Sequence, residues 1–408
     1  MNARWWLTLL VVLGAATAAR ALLDRGQREA PPTPALQPES DGAFHVRPGE
    51  SIQAAVDAAA ASATKRVVVH EGVYRPQQVA QALVRFNRQH DGVVLEASGN
   101  VELTAANPEL HTAEQSNATP DPAAPAVVNH VVYFGDGVTS RTTLRGFTIT
   151  GANGFVATDE LTPPIEPTSL DPRLKKGLFF YADGGAIKVF GRSSPTLEQL
   201  VIRDNRTMIC GAGVSVEQRG YLDQPVVMRD IRFLNNACPA TGAAVDLLGG
   251  SAAVLENCLF EGNIGNTGMD RVAEKFNLSY HSEHGCGALT VFPESRALVR
   301  RCTFRNNWNG ADDQGAGSVY LDCIFWGNDR SDGTRPKGPY ELDVTESARV
   351  EGCWFGSAET YDLRGTIDGK LNRFDAPDPQ FDEHGNPQNP VYRSIGYRFA
   401  ESATPLSP

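Results

Sequence analysis

Between Leu144 and Phe355 the chain repeats one short pattern of apolar and polar positions. The segments LEQLVIRDN, MRDIRFLNN, LENCLFEGN, VRRCTFRNN and YLDCIFWGN start at Leu197, Met228, Leu255, Val299 and Tyr320. Each reads apolar, two polar, apolar, any, Ile or Phe, two variable, Asn, so inward side chains alternate with outward ones as in a strand. LRGFTITGA from Leu144 and VEGCWFGSA from Val350 extend the series.

Alignment places Phe147, Leu200, Ile231, Cys258, Cys302, Cys323 and Cys353 in one inward column and Ile149, Ile202, Phe233, Phe260, Phe304, Phe325 and Phe355 in the next. The ninth position holds Asn205, Asn236, Asn263, Asn307 and Asn328. There a side-chain amide can bond its equivalents above and below and tolerate the left-handed backbone of a tight turn. A second strand set lies between these: GGAIKVF, GAGVSVE, GAAVDLL, CGALTVF and YELDVT, from Gly184, Gly211, Gly242, Cys286 and Tyr340. Small residues open most of these strands so that coils turn tightly and approach closely, after which Ile187, Val214, Val245, Leu289 and Leu342 face inward. Two strands per coil, or three, make a solenoid.

At the second position of the first strand set charge alternates from coil to coil: Arg145, Glu198, Arg229, Glu256, Arg300, Leu321 and Glu351. With rungs about 4.8 Å apart, each Arg meets a Glu on the next rung and the register is favoured over a slip. These pairs read as structural, each contributing at most roughly 1 kcal/mol.

The repeat array takes up most of the 408 residues, so one domain is expected. At the N-terminus, residues 1–23 read as a signal peptide or signal anchor, with the cleavage-like triplet Ala16-Thr17-Ala18, and 24–43 as a Pro-rich linker. The body, 44–376, opens with a capping helix over 51–63, Ser51 being its N-cap and Ile52, Ala55, Val56 and Ala59 its apolar face. Residues 377–408 form a C-terminal cap or tail. This organisation predicts an extracytoplasmic monomer that is secreted, periplasmic or N-terminally anchored, touching a membrane only through an uncleaved leader. A net charge of −11 and a pI of 5.3 argue against nucleic acid as a partner. Of the seven cysteines, four fall in the inward column as small hydrophobes, while Cys210 and Cys238 are a candidate disulfide pair.

The helix SIQAAVDAA followed by VVVHEGVY resembles the opening of right-handed parallel β-helix proteins of the pectate lyase-like superfamily. The GGAI tetrapeptide at Gly184 and the Phe-x-x-Asn units resemble repeats of polymorphic outer-membrane proteins, and DPQF at Asp378 with YRFAESATPL from Tyr397 is similar to the closing segment of exported bacterial β-helix proteins. The resemblance, carried by residues 45–360, implies an all-β fold: a single-stranded right-handed parallel β-helix with an N-terminal capping helix. Such folds include lyases, hydrolases, epimerases and inert adhesins, so function rests on a site.

Extra residues at 153–183, 264–285 and 329–339 all leave after the Asn turn and would wall a groove whose outward column holds Lys188, Ser215, Asp246, Thr290 and Asp343. A lyase there needs a base and a cation to stabilise an enolate. Lys188, Asp246, His281 and His284 are the candidate catalytic residues, and Arg271, Asp343 and Trp308 the candidate substrate contacts, with Trp326 and Tyr340 as further stacking surfaces. Asp312 and Asp313 are a candidate calcium or acid pair, in a coil whose second strand is missing. Polygalacturonases also carry paired aspartates, but here His284-Gly285 precedes Asp312-Asp313 and no terminal Arg-x-Lys follows. The sequence thus supports two readings. One is an exported protein that binds or processes extracellular polysaccharide or cell-surface glycan, lyase-like if an enzyme and calcium its only candidate cofactor. The other is a non-catalytic structural or adhesive surface protein.

Overall fold

The spacing of three between the first two inward positions of each repeat, Leu197 to Leu200 for example, does not suit a straight strand, and the chain bends there. In the computed structural model each repeat is two strands meeting at a corner, with Gln199, Asp230, Asn257, Arg301 and Asp322 at the bend in left-handed conformation, φ between 50° and 57°. A coil therefore has three strands, on three stacked parallel sheets. The structure describes residues 36–399 except 113–120, 122, 155–171, 269, 271–272, 275–276, 278–284, 331–337 and 357–362.

Sheet A contains Ala80–Phe86, Val128–Phe134, Ile187–Phe190, Val214–Glu217, Val245–Leu247, Leu289–Val291, Ala311–Asp313 and the start of Leu342–Glu351. Sheet B contains Thr143–Arg145, Thr196–Glu198, Val226–Arg229, Ala252–Glu256, Arg296–Arg300, Ala316–Leu321 and the end of Leu342–Glu351. Sheet C contains Thr148–Thr150, Val201–Arg203, Arg232–Leu234, Leu259–Glu261, Thr303–Arg305, Ile324–Trp326 and Trp354–Phe355. The longer strands Arg66–Tyr74 and Val94–Thr104 run through both B and C. Successive coils pair in parallel and in register on every sheet, which makes the body from Pro38 onward a parallel β-helix. The coil thought to lack its second strand has one, Ala311–Asp313.

Both expected inward columns are buried. Phe233, Phe260, Phe304, Phe325 and Phe355 stack with centroids 4.5–5.1 Å apart. Beside them the Asn side chains form a continuous ladder, Nδ2 of each donating to Oδ1 of the next: Asn205 to Asn236 at 3.1 Å, Asn236 to Asn263 at 3.0 Å, Asn263 to Asn307 at 2.9 Å and Asn307 to Asn328 at 2.8 Å. The left-handed residue is the neighbour one position earlier, Asp204, Asn235 or Asn306, rather than the ladder Asn. A run of aligned amides ends in an exposed N–H pole, and here the buried Glu341 carboxylate accepts from Asn328 Nδ2 and from the Gly327 amide. The charged column zigzags as expected: Arg145 to Glu96 and Glu198, Arg229 to Glu198 and Glu256, Arg300 to Glu256.

The capping helix spans Ile52–Ala60, Ser51 Oγ accepts from the Ala54 amide, and the four expected residues are buried. At the other end, residues 376–399 lie along the outer side of sheet C. Tyr392, Ile395 and Ala376 pack on Ile324, and the Tyr397 and Arg398 amides donate to Thr303 and Asn257. The tail thus covers outward apolar side chains of the last coils. All seven cysteines are buried free thiols, Cys210 and Cys238 included. No helix among the described residues is long and apolar enough to cross a membrane, and residues 1–35 lie outside them.

Candidate functional site

On the outer side of sheet A the register stacks Lys188, Ser215, Asp246, Thr290, Asp312 and Asp343 on consecutive rungs. The expected column is real, and Lys188 and Asp246 stand two rungs apart as anticipated. Its surroundings differ from a groove. Lys188 and Asp246 are both 0% exposed, beneath chain that leaves sheet C and returns to sheet A.

Lys188 reaches this position because the Gly184-Gly185 turn starts its strand with the backbone packed on the next coil: a Cβ on Gly185 would stand 2.8 Å from Ala212 O. Its Nζ lies 2.8 Å from Glu217 Oε2 and donates to Ser215 Oγ at 3.1 Å and Phe179 O at 3.0 Å. Phe179 belongs to a short helix, Leu178–Ala182, that seals this end of the seam with Phe180 against Tyr133 and Phe190. Arg219 also pairs with Glu217. The ammonium is thus held in place and fully wrapped.

Asp246 faces Asp183 across the base of the same corner. Burial and Asp246 push the Asp183 carboxyl well above its usual range, and burial raises Asp246 to about 7 against the opposing effect of Lys188. Cys210 completes a group in which one ligand-capable atom from each of Asp183, Cys210 and Asp246 lies within 4.8 Å of the others. Asp183 Oδ1 accepts from the Cys210 amide at 2.8 Å. The acids and the thiol sit together because Asp183 immediately precedes Gly184 and Cys210 immediately precedes Gly211, the residues that open two successive sheet-A strands. A burial-driven rise also holds the Cys210 and Cys238 thiols protonated.

Asp312 and Asp313 occupy adjacent positions on a strand, so their side chains take opposite faces. Asp312 Oδ2 accepts from the Gly285 amide and Gln314 Nε2 on the outer side. Asp313 aligns with inward Val291 and Val344 and accepts from Tyr320 OH at 2.7 Å, its pKa raised by burial to about 6. The pair therefore does not converge on one calcium ion, contrary to what its adjacency suggested. Trp308 and Tyr340, expected as stacking surfaces, are each 1% exposed, and Tyr340 OH donates to Gly285 O. Trp326 is half-buried against the tail cluster. Asp343 joins the seam above Asp312 and is buried. Arg271, His281 and His284 lie outside the described residues.

Sequence reasoning missed Asp183, Glu217 and Glu341. Asp183 directly precedes the small-residue opening of a sheet-A strand, Glu341 stands where the preceding rung carries Gly310, and Glu217 ends one of those strands, so none of the three falls in the outward column. For Asp183 the available signal was a charged residue beside a Gly-Gly turn. The sequence matches no protein-family model, and neither the curated proteins nor the solved structures searched gave a match.

Proposed function

We propose that this chain is an exported, monomeric surface solenoid with a structural or adhesive role, acting through its regular outer faces rather than by catalysis. The carrying observation is the burial of Lys188, Trp308 and Tyr340: a side chain suited to proton transfer and two suited to sugar stacking are enclosed, with Lys188 and Tyr340 engaged in internal hydrogen bonds. A lyase base must reach its proton directly or through one water. Fully wrapped groups of this kind more often serve packing and register than turnover. The acidic balance of −11 disfavours nucleic acid as the partner.

A second reading, binding or processing of extracellular polysaccharide, draws support from one feature. The Asp183 and Asp246 carboxyls have raised pKa values beside Lys188, the kind of perturbation found where acids and bases work. Opening of the covering chain would be required.

One experiment separates the two. The full-length protein is applied to a glycan array and incubated with uronate polymers with and without Ca²⁺, following absorbance from unsaturated products. The structural reading expects no product under any condition. Product formation that is lost in Lys188→Met would reverse the order of the two readings, and glycan binding without product would make the solenoid a lectin-like adhesin.

A further inference from the structure

We infer that Asp183, Cys210 and Asp246 form a divalent-metal site, and that its donor set suits Zn²⁺. Two observations carry this independently. The first is convergence: two carboxylate oxygens and one thiol sulfur, from three residues placed by three successive coils, lie within 4.8 Å of one another. Two carboxylates and a thiolate are all ligands that Zn²⁺ accepts, with bond lengths of about 2.0–2.3 Å, leaving a fourth tetrahedral position for water.

The second observation is what the carboxylates lack. Oδ2 of Asp183 has no hydrogen-bond partner, and the Asp246 carboxyl has only the Ser215 hydroxyl beside it, at looser geometry than an ordinary hydrogen bond, although these residues are 1% and 0% exposed. Buried carboxylate oxygens without partners are costly and rare. The obvious cation is already engaged, since Lys188 Nζ is taken up by Glu217, Ser215 and Phe179 O. Two acidic groups therefore face each other in a buried corner with no ion-paired cation, and a dication would supply the positive charge that lets both ionise.

The backbone is shaped to this cluster. Gly211 sits beside Asp246, and a Cβ there would lie 2.0 Å from Asp246 Oδ1, so only glycine leaves the carboxylate its position. Its φ of +61° also favours glycine. Binding expels the Cys210 thiol proton and any proton held by the two carboxyls, since the ligand forms are thiolate and carboxylate. Thio ligation separates this site from a calcium site, because Ca²⁺ takes oxygen ligands alone. A bound ion would tie the same corner of three consecutive coils together.

The test uses the full-length chain stripped with a chelator and dialysed, then titrated with ZnCl₂ and separately with CoCl₂ and CaCl₂. Metal content is read by mass spectrometry, and the Co²⁺ complex by its absorption. The expected result is one Zn²⁺ per chain, a sulfur-to-cobalt charge-transfer band, and a melting temperature raised by Zn²⁺ and not by Ca²⁺. Cys210→Ser should abolish the band, and Asp246→Asn should weaken Zn²⁺ binding by more than about 100-fold, beyond the loss typical of outer-shell partners. Asp312→Asn, a buried acid outside the trio, should bind as the parent does. Melting curves of the metal-free variants establish that each is folded. The proposal fails if the parent chain takes up no stoichiometric Zn²⁺, if uptake survives both ligand substitutions, or if the cobalt complex lacks the sulfur band.

Discussion

Replacing Asn236 by Ala measures the strength of the amide ladder. Asn236 Oδ1 accepts from the Asn205 backbone amide at 3.2 Å and from Asn205 Nδ2 at 3.1 Å. Its Nδ2 donates to Ile202 O at 2.9 Å and Asn263 Oδ1 at 3.0 Å. All four bonds vanish in the Ala variant, but their partners fare unequally. Asn205 Nδ2 keeps Ile149 O and Arg203 O, and Asn263 Oδ1 keeps the residue-236 amide. The side-chain bonds of the Asn205 N–H and one lone pair of Ile202 O are left without replacement in a dry interior. At about 1–3 kcal/mol for each orphaned group, the expected loss is about 2–6 kcal/mol. Asn236→Asp should be at least as damaging at pH 8, because its second oxygen would face two other acceptors, Ile202 O and Asn263 Oδ1. Those neighbours raise the new carboxyl's folded pKa above its unfolded value. Its penalty is therefore smallest below the unfolded value and grows as pH rises toward the folded one. Chemical denaturation at pH 5 and 8, with hydrogen exchange of the Asn205 amide, reads both effects. A loss under about 1 kcal/mol for the Ala variant, near the range of exposed substitutions, would refute the reasoning that two buried groups are left orphaned.

Three further outcomes follow from the same structure. Tyr320→Phe deprives Asp313 of its hydroxyl donor, so stability should fall by about 1–3 kcal/mol at pH 8 and by less at pH 4.5, where that carboxyl is protonated; thermal melts at both values check this. Glu341, raised by burial to about 7 from an ordinary 4.5, stabilises the fold most below pH 4.5 and loses that contribution as pH climbs to 7, so Glu341→Gln should flatten part of the decline in melting temperature between pH 5 and 8. Arg229→Glu sets three acidic side chains in a row with Glu198 and Glu256 and should cost about 1 kcal/mol in low salt, with the difference from the parent shrinking in 1 M NaCl, where the Debye length is about 3 Å.

Much of the fold was legible because a solenoid writes each structural position many times. The inward columns, the Asn ladder and the alternating Arg and Glu were all readable from repetition, and each is formed as expected. The corner between sheets B and C was also written, in the three-residue gap from Leu197 to Leu200, but passed for a continuous strand. The candidate site was harder. Repetition identified Lys188 and Asp246 as stacked and outward, yet outward on a sheet does not mean exposed when inserted chain folds over it. Asp183, one residue outside the repeating columns, is placed by the path of its loop, which no period encodes. Adjacency misled in the case of Asp312 and Asp313, where the two-residue alternation of a strand sends neighbours apart.

The corners of the coil differ in one further respect. From Thr143 onward the turn between sheets B and C is two residues, as from Glu198 to Val201 or Arg300 to Thr303, whereas from sheet C to sheet A the chain spends anything from the stretch between Arg305 and Ala311 to that between Thr150 and Ile187. One edge of the prism is therefore an editable margin, where text can be added without disturbing the lines on either side. New sequence grafted after Asn236, at the junction of Leu234 and Val245, would be displayed from a rigid mast at a spacing set by the rungs, and several such grafts would stand in a row of known order. The same freedom lets unrelated surface loops diversify over a body whose stacking rules stay constant.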